Sequence, residues 1–151
     1  MSKIFKFIII ICFVTIFSKL AFGKENFFDE AFKMYQSKKY DDAKFMLERN
    51  IVFNPKDAKS YLYLAKIYNH KENQKKEEYN LETALLIEPN NEEAILMLMK
   101  IALKKSNYSQ VKDLSQTFSK VCDKLCDENN EIQKSLKNIE PENNESWSKS
   151  F

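Results

Sequence analysis

Two prolines 34 residues apart, Pro55 and Pro89, frame the stretch that most constrains this chain. After the first of them, residues 58–89 read AKSYLYLAKIYNHKENQKKEEYNLETALLIEP. Small residues (Ala58, Ala65, Ala84) are set among large ones (Tyr61, Leu64, Tyr68, Leu81, Leu85, Ile87). A unit this short cannot bury its own apolar side chains, so similar units must stack on either side of it. Composition agrees. Gly occurs once in 151 residues and charged residues make up 30%, which suits helices and argues against a turn-rich β-fold.

Residue by residue, the stretch resembles one tetratricopeptide (TPR) repeat, whose period is 34. The resemblance implies paired helices, with the alanines where the helices approach closely and the large residues filling the spaces between. A first repeat spans about 26–55. Phe27, Ala31 and Met34 take the positions of its first helix, and Tyr40, Ala43, Leu47, Ile51 and Phe53 those of its second. Asn54-Pro55 ends it, because the residue before proline is pushed out of helical geometry. Asn50 and Glu30 depart from the family pattern there, and Glu77 departs from it in the second repeat, 58–89.

A third, degenerate repeat covers 92–125. Ala94, Ile95, Leu98 and Ala102 fit its first helix, while Val111, Leu114, Phe118, Val121 and Leu125 step by three and four along its second. Asn91 is placed to cap the first of these. Asp127 to Asn130 is expected to interrupt the chain before a capping helix, 129–139, built on Ile132, Leu136 and Ile139. The polar residues 140–151 are expected to be a disordered tail. The expected fold is all-α: a TPR helix-turn-helix solenoid of about three repeats plus a C-terminal capping helix, over 24–139.

Residues 1–23 stand apart. Lys3 and Lys6 precede an apolar run from Phe7 to Phe17, and Leu20-Ala21-Phe22-Gly23 carries small residues where a signal peptidase reads. Eleven residues fall short of the ~20 that span a bilayer. The pattern predicts an exported chain, periplasmic if bacterial, with no stable membrane insertion after cleavage. Cleavage also removes three lysines and no acid, so 24 basic residues fall to 21 against 22 acidic ones. No cationic surplus remains for a nucleic-acid partner.

Catalysis has little to work with. His70 is the only histidine, and it reads as a surface residue at a helix end. The sequence has no phosphate loop and no metal-ligand cluster. Neither an enzyme nor a cofactor is expected. Cys122 and Cys126 remain in the exported chain, four residues apart. That spacing puts Cβ atoms about 5–6 Å apart on a regular helix, against about 3.5–4.5 Å in a disulfide. An intrachain bond therefore requires the helix to unwind there. Free thiols or a bond to another molecule are the alternatives, and metal binding lacks further ligands.

In TPR proteins the first helix of each repeat lines a concave groove. Carried onto this chain, the resemblance places Phe28, Phe32 and Tyr35 there from the first repeat, and Lys59, Leu62, Tyr63, Lys66 and Asn69 from the second. The third repeat supplies Leu96, Met97 and Lys100. An apolar strip rimmed by charge is a binding surface rather than a folding requirement. The TPR domains that grip chaperone C-termini clamp a carboxylate with Lys, Asn and Arg at fixed positions. Here those positions hold Phe28, Phe32, Tyr63, Glu93 and Met97, so the clamp is absent. The function implied is an adaptor for a protein or peptide partner, set by export among cell-envelope proteins. A self-associating structural subunit and a thiol-dependent assembly factor are the other readings. N-terminal sequencing of the exported protein is expected to begin at Lys24; a chain that keeps Met1 and stays in the membrane overturns the export signal.

Overall fold

The computed structural model describes residues 27–139, as seven helices with no strand among them. The expected export signal, 1–23, and the expected tail, 140–151, lie outside the described residues. In chain order the helices are α1 (Phe27–Gln36), α2 (Tyr40–Phe53), α3 (Ala58–His70), α4 (Gln74–Ile87), α5 (Glu92–Lys104), α6 (Tyr108–Val121) and α7 (Cys126–Ile139). Each packs on the next in sequence. The architecture is an all-α, TPR-like helical repeat.

The alanines of the pattern sit at the closest contacts. Ala31, Ala43, Ala65, Ala84 and Ala94 have no solvent exposure, and Leu47, Ile67, Leu81, Ile95 and Phe118 fill the spaces around them. The core runs continuously along the stack. One cluster joins α1, α2 and α3, a second joins α3, α4 and α5, and a third joins α5, α6 and α7.

The turn inside each pair is made the same way three times. Lys38, Glu72 and Ser106 take left-handed backbone conformations, with φ of 59°, 55° and 56°. The following amide reaches back five residues in each case: Lys39 N–H to Met34 O, Asn73 N–H to Tyr68 O, and Asn107 N–H to Ala102 O, each 2.9 Å. This is the Schellman closure. These residues recur every 34 positions, so the period is written into the backbone as well as the core. Asn73 and Asn107 then cap the next helix through side-chain oxygens that accept from Lys76 and Gln110 amides. Lys39, the equivalent in the first repeat, makes no side-chain cap.

Two departures from the family pattern are buried polar groups with partners. Asn50 donates to Asp57 Oδ2 at 2.7 Å and to Ser60 Oγ at 2.8 Å, and Ser60 donates to Asp57 at 2.6 Å. This triangle ties α2 to α3 and leaves no orphaned group among its members. Glu77 is buried in α4 and accepts from Asn69 Nδ2 at 2.9 Å. Burial raises its pKa above the ordinary carboxyl value, while the Asn69 hydrogen bond and Lys104 pull it back in part.

The break before the last helix is not where the sequence suggests. Residues 127–130 are helical, and Cys122 to Leu125 form the turn. Asp127 and Glu128 therefore sit in the first turn of α7, where carboxylates oppose the positive end of the helix dipole. The acids start the helix rather than interrupt it. The expected capping helix thus extends from 126 rather than 129.

Left-handed φ at a residue with a side chain costs roughly 1–2 kcal/mol, which glycine avoids at the expense of a more flexible unfolded chain. Glu72→Gly is expected to raise stability by about 0.5–1 kcal/mol. Lys39→Asn, which supplies the missing cap, is expected to add about 1 kcal/mol. Thermal or denaturant unfolding checks both, and a loss in either variant contradicts the turn geometry.

Candidate functional site

Helices α1, α3 and α5 are the first members of their pairs, and α7 follows in the same series. Residues 34 apart hold equivalent places on them. Phe28, Leu62 and Leu96 form one such row, and their surroundings differ. Leu62 is 6% exposed and Leu96 2% exposed, both within core clusters, whereas Phe28 is half-buried. The expectation that Leu62 and Leu96 line the groove is therefore corrected: both are core residues. Helices α3 and α5 have helices on both sides that cover this position. Among the described residues α1 has neighbours on one side only, which leaves Phe28 half-open. Asn69 is exposed at the end of α3, and its side-chain nitrogen donates to Glu77 Oε1 of α4 at 2.9 Å.

Four of the expected groove residues come together at the α1–α3 end. Tyr63 lies at the centre, with its ring edge-to-face with Phe28 (5.6 Å between centroids), Phe32 (5.3 Å) and Tyr35 (5.0 Å). Phe28 and Phe32 stack at 6.2 Å. Edge-to-face pairs of this kind are worth about 0.5–1.5 kcal/mol each beyond their burial, so Tyr63 holds the group together. The cluster continues through Tyr35 to Tyr40 at 5.5 Å and on to His70, which stacks on Tyr40 at 4.6 Å. Phe28, Tyr35 and Tyr63 also lean on the core beneath. Phe32 is half-buried but stands outside the core cluster. Burial, followed by the Glu93 charge, raises the Tyr63 pKa; burial also leads at Tyr35, with Tyr40, Tyr63 and Glu93 behind it. Both phenols stay protonated at neutral pH and can donate hydrogen bonds.

Two lysines of the face, Lys66 and Lys100, are not free rim charges. Lys66 Nζ lies 2.7 Å from Glu93 Oε1 and 4.4 Å from the centre of the Tyr63 ring. One repeat later, Lys100 Nζ lies 3.0 Å from Glu128 Oε2. These pairs are rungs between consecutive first helices, α3 to α5 and α5 to α7. The rung before them is different. Phe32 stands 34 residues before Lys66, and Lys59 stands 34 before Glu93. Where later repeats place an ion pair, the first step places an aromatic ring and an exposed lysine. The open apolar surface of this face is thus concentrated at the α1–α3 end. Met97 continues it only as a partly buried residue against the core.

At the opposite end, the expected cysteine pair is bonded. Cys122 closes α6 and Cys126 opens α7, with Cα atoms 5.4 Å apart. The helix does unwind, but between the two cysteines rather than after them. Glu92, at the start of α5, closes the same turn. Its carboxylate accepts from the backbone amides of Asp123 (3.0 Å), Lys124 (3.1 Å) and Leu125 (3.0 Å). Three converging N–H groups at a helix start form a ready anion site, and here the chain fills it with its own acid. No local sequence signal marks this partnership, because Glu92 and Leu125 are 33 residues apart. Among the described residues no group of three His, Cys, Asp or Glu side chains could hold a metal ion.

Partial desolvation works against ionisation of Glu92, and the amides of Leu125, Lys124 and Asp123, with the Lys124 charge, outweigh it; the pKa falls below its ordinary value. A carboxyl whose folded pKa is depressed stabilises above its unfolded value, and that contribution is lost as pH falls through the folded one. As pH falls below the ordinary value of 4.5 the start of α7 is expected to loosen, read as lower amide protection at Asp123, Lys124 and Leu125 relative to the intrinsic exchange rate at each pH. Glu92→Ala is expected to show that lower protection already at neutral pH. Unchanged exchange in the variant contradicts the role of the carboxylate.

Comparison with known proteins places the fold. No family model matches the sequence, and no curated protein matches it. Among solved structures, the type III secretion chaperone SycD of Yersinia enterocolitica, crystallised with a peptide of the translocator YopD, is similar with a TM-score of 0.69. The two share 15% identity over 76% of this chain and 92% of that one. A second SycD structure has a TM-score of 0.64 at 16% identity, covering 76% of this chain and 81% of the other. At such identity the likeness is one of fold.

Proposed function

We propose that this chain is a non-catalytic adaptor that binds an extended or helical segment of another protein at the aromatic end of its concave first-helix face. One observation carries the reading. Phe28, Phe32, Tyr35 and Tyr63 form a half-buried aromatic cluster at the step where the later repeats carry ion pairs. Aromatic anchors on a rigid helical frame are where binding energy concentrates in protein interfaces. The fold likeness to a chaperone solved with a peptide of its translocator supports the same class of partner.

The chemistry of the surface narrows the ligand. Lys66 and Lys100 are engaged by Glu93 and Glu128, so an acidic peptide gains little there. An apolar or aromatic side chain inserted beside Phe32 gains the ring contacts, with Lys59 available at the rim. The setting is export: the sequence of residues 1–23 supports it, and a bonded cysteine pair suits an oxidising compartment such as the periplasm. The partner is then an envelope or exported protein, and the role its assembly or maintenance. A thiol-handling role is disfavoured, since the two sulfurs are bonded to each other within one turn.

The test is selection of peptides from a displayed random library on the protein, followed by titration of a selected peptide. Phe32→Ala is expected to weaken that peptide by about 5–30-fold, equivalent to roughly 1–2 kcal/mol. The titration is run well below the unfolding transition, because the loss of its contacts with Tyr63 and Phe28 costs roughly 1–3 kcal/mol of stability. Leu64→Ala, in the core, is expected to lose about 2–5 kcal/mol of stability, with any binding loss following from that. If the selected peptides bind Phe32→Ala as tightly as the original chain, the aromatic end is not the site.

A further inference from the structure

The opposite side of the array carries a second apolar surface, and its residues obey the same period. Phe45 and Val52 on α2 and Tyr79 and Leu86 on α4 are 63–84% exposed. Phe45 and Tyr79 are 34 residues apart, as are Val52 and Leu86. Within each helix the two are seven residues apart, which puts them on one face two turns from each other. The next repeat breaks the row: the equivalent places on α6 hold Asp113 and Lys120. The surface is therefore bounded, two helices wide, and distinct from the aromatic end of the first-helix face.

We propose that this outer face of α2 and α4 seats a second copy of the same chain, across a two-fold axis lying between the two helices. Helices α2 and α4 run in the same direction, because α3 alone separates them and reverses the chain each time. A two-fold lying in the plane of the face and parallel to the helices exchanges α2 with α4 and keeps their direction. Phe45 of one copy then meets Tyr79 of the other, and Val52 meets Leu86. Aromatic falls on aromatic and aliphatic on aliphatic, twice each. The two helices carry the aromatic first and the aliphatic second, which is the arrangement this symmetry needs.

Area and charge favour the same occupant. At roughly 150–200 Å² for a whole side chain, these four residues and Phe53 leave on the order of 600 Å² of apolar surface open. That is the upper end for the largest patch on a monomer and most of the ~800 Å² each partner contributes to a standard interface. A lipid surface selects a cationic rim. Here the rim alternates in sign, with Lys44 paired to Glu48 at 3.4 Å beside Phe45 and Glu82 beside Tyr79.

Sedimentation of the protein expressed from its whole coding sequence tests this. The expected result is a concentration-dependent dimer at micromolar protein. Phe45→Glu and Leu86→Glu are each expected to weaken it by at least about tenfold, with helical circular dichroism unchanged because both residues are exposed. The double variant Phe45→Glu with Tyr79→Lys is expected to dimerise again, since the axis sets the two positions against each other. Phe32→Ala is expected to leave the dimer intact, which separates this face from the peptide site. A monomer at every concentration overturns the proposal, and is the outcome if residues 7–17 of the same chain or another protein cover the face. A dimer indifferent to Phe45→Glu, or a double variant that stays monomeric, overturns it as well.

Discussion

Close approach at alanine is the contact on which the rest of this molecule depends. Ala31, Ala43, Ala65, Ala84 and Ala94 are fully buried, and each lets a neighbouring helix come near enough for Leu47, Ile67 or Leu81 to reach across. Burial is a property of the pair, then of the next pair. No single helix here has enough apolar surface to fold alone. Left-handed turns at Lys38, Glu72 and Ser106 serve the same constraint. They reverse the chain within three residues, so that successive helices meet antiparallel and in register.

The repeat was legible because its signals are local: small residues at fixed spacing, prolines at the ends, and Asn91 at a cap. The facing of individual residues was less so. Equivalent residues share a position but not an environment, and Phe28 and Leu62 differ because one helix is terminal among the described residues and the other is not. Leu96 follows Leu62 for the same reason. The turn between α6 and α7 was misplaced because Asp127 and Glu128 look like a loop in sequence. Their helical state follows from the turn before them, which Glu92 and the cysteine pair fix from a distance. The ion-pair rungs were invisible for the same cause, since Lys66 meets a residue 27 positions on and Lys100 one 28 positions on.

Polar residues at buried positions set the register rather than add stability. The Asn50, Asp57 and Ser60 triangle is satisfied only when α2 and α3 are aligned, so sliding either helix strands a buried donor or acceptor. Glu77 is the costlier case. Burial resists its ionisation, and Asn69 and Lys104 offset part of that resistance. An apolar residue there would relieve the cost and leave Asn69 Nδ2 without this partner.

The array is polar in its surface chemistry as well as its chain direction. The half-buried aromatic cluster lies on the first-helix face of the first two repeats, and the outer apolar row lies on the second helices of the same two. The third repeat replaces both with charge: Lys100 and Glu128 on one side, Asp113 and Lys120 on the other. Its apolar residues turn inward instead, onto Met99, Phe118, Ile132 and Leu136. A stack that ended with exposed apolar faces would keep growing by association, so the last units must carry the stop. Glu92 filling the amide site at the start of α7 belongs to that stop, because an unfilled helix start is an invitation to a foreign anion. The proposed recognition surface lies at the end where aromatic rings stand in place of ion pairs, and ion pairs, a disulfide and a self-capped helix start fasten the last of the described helices.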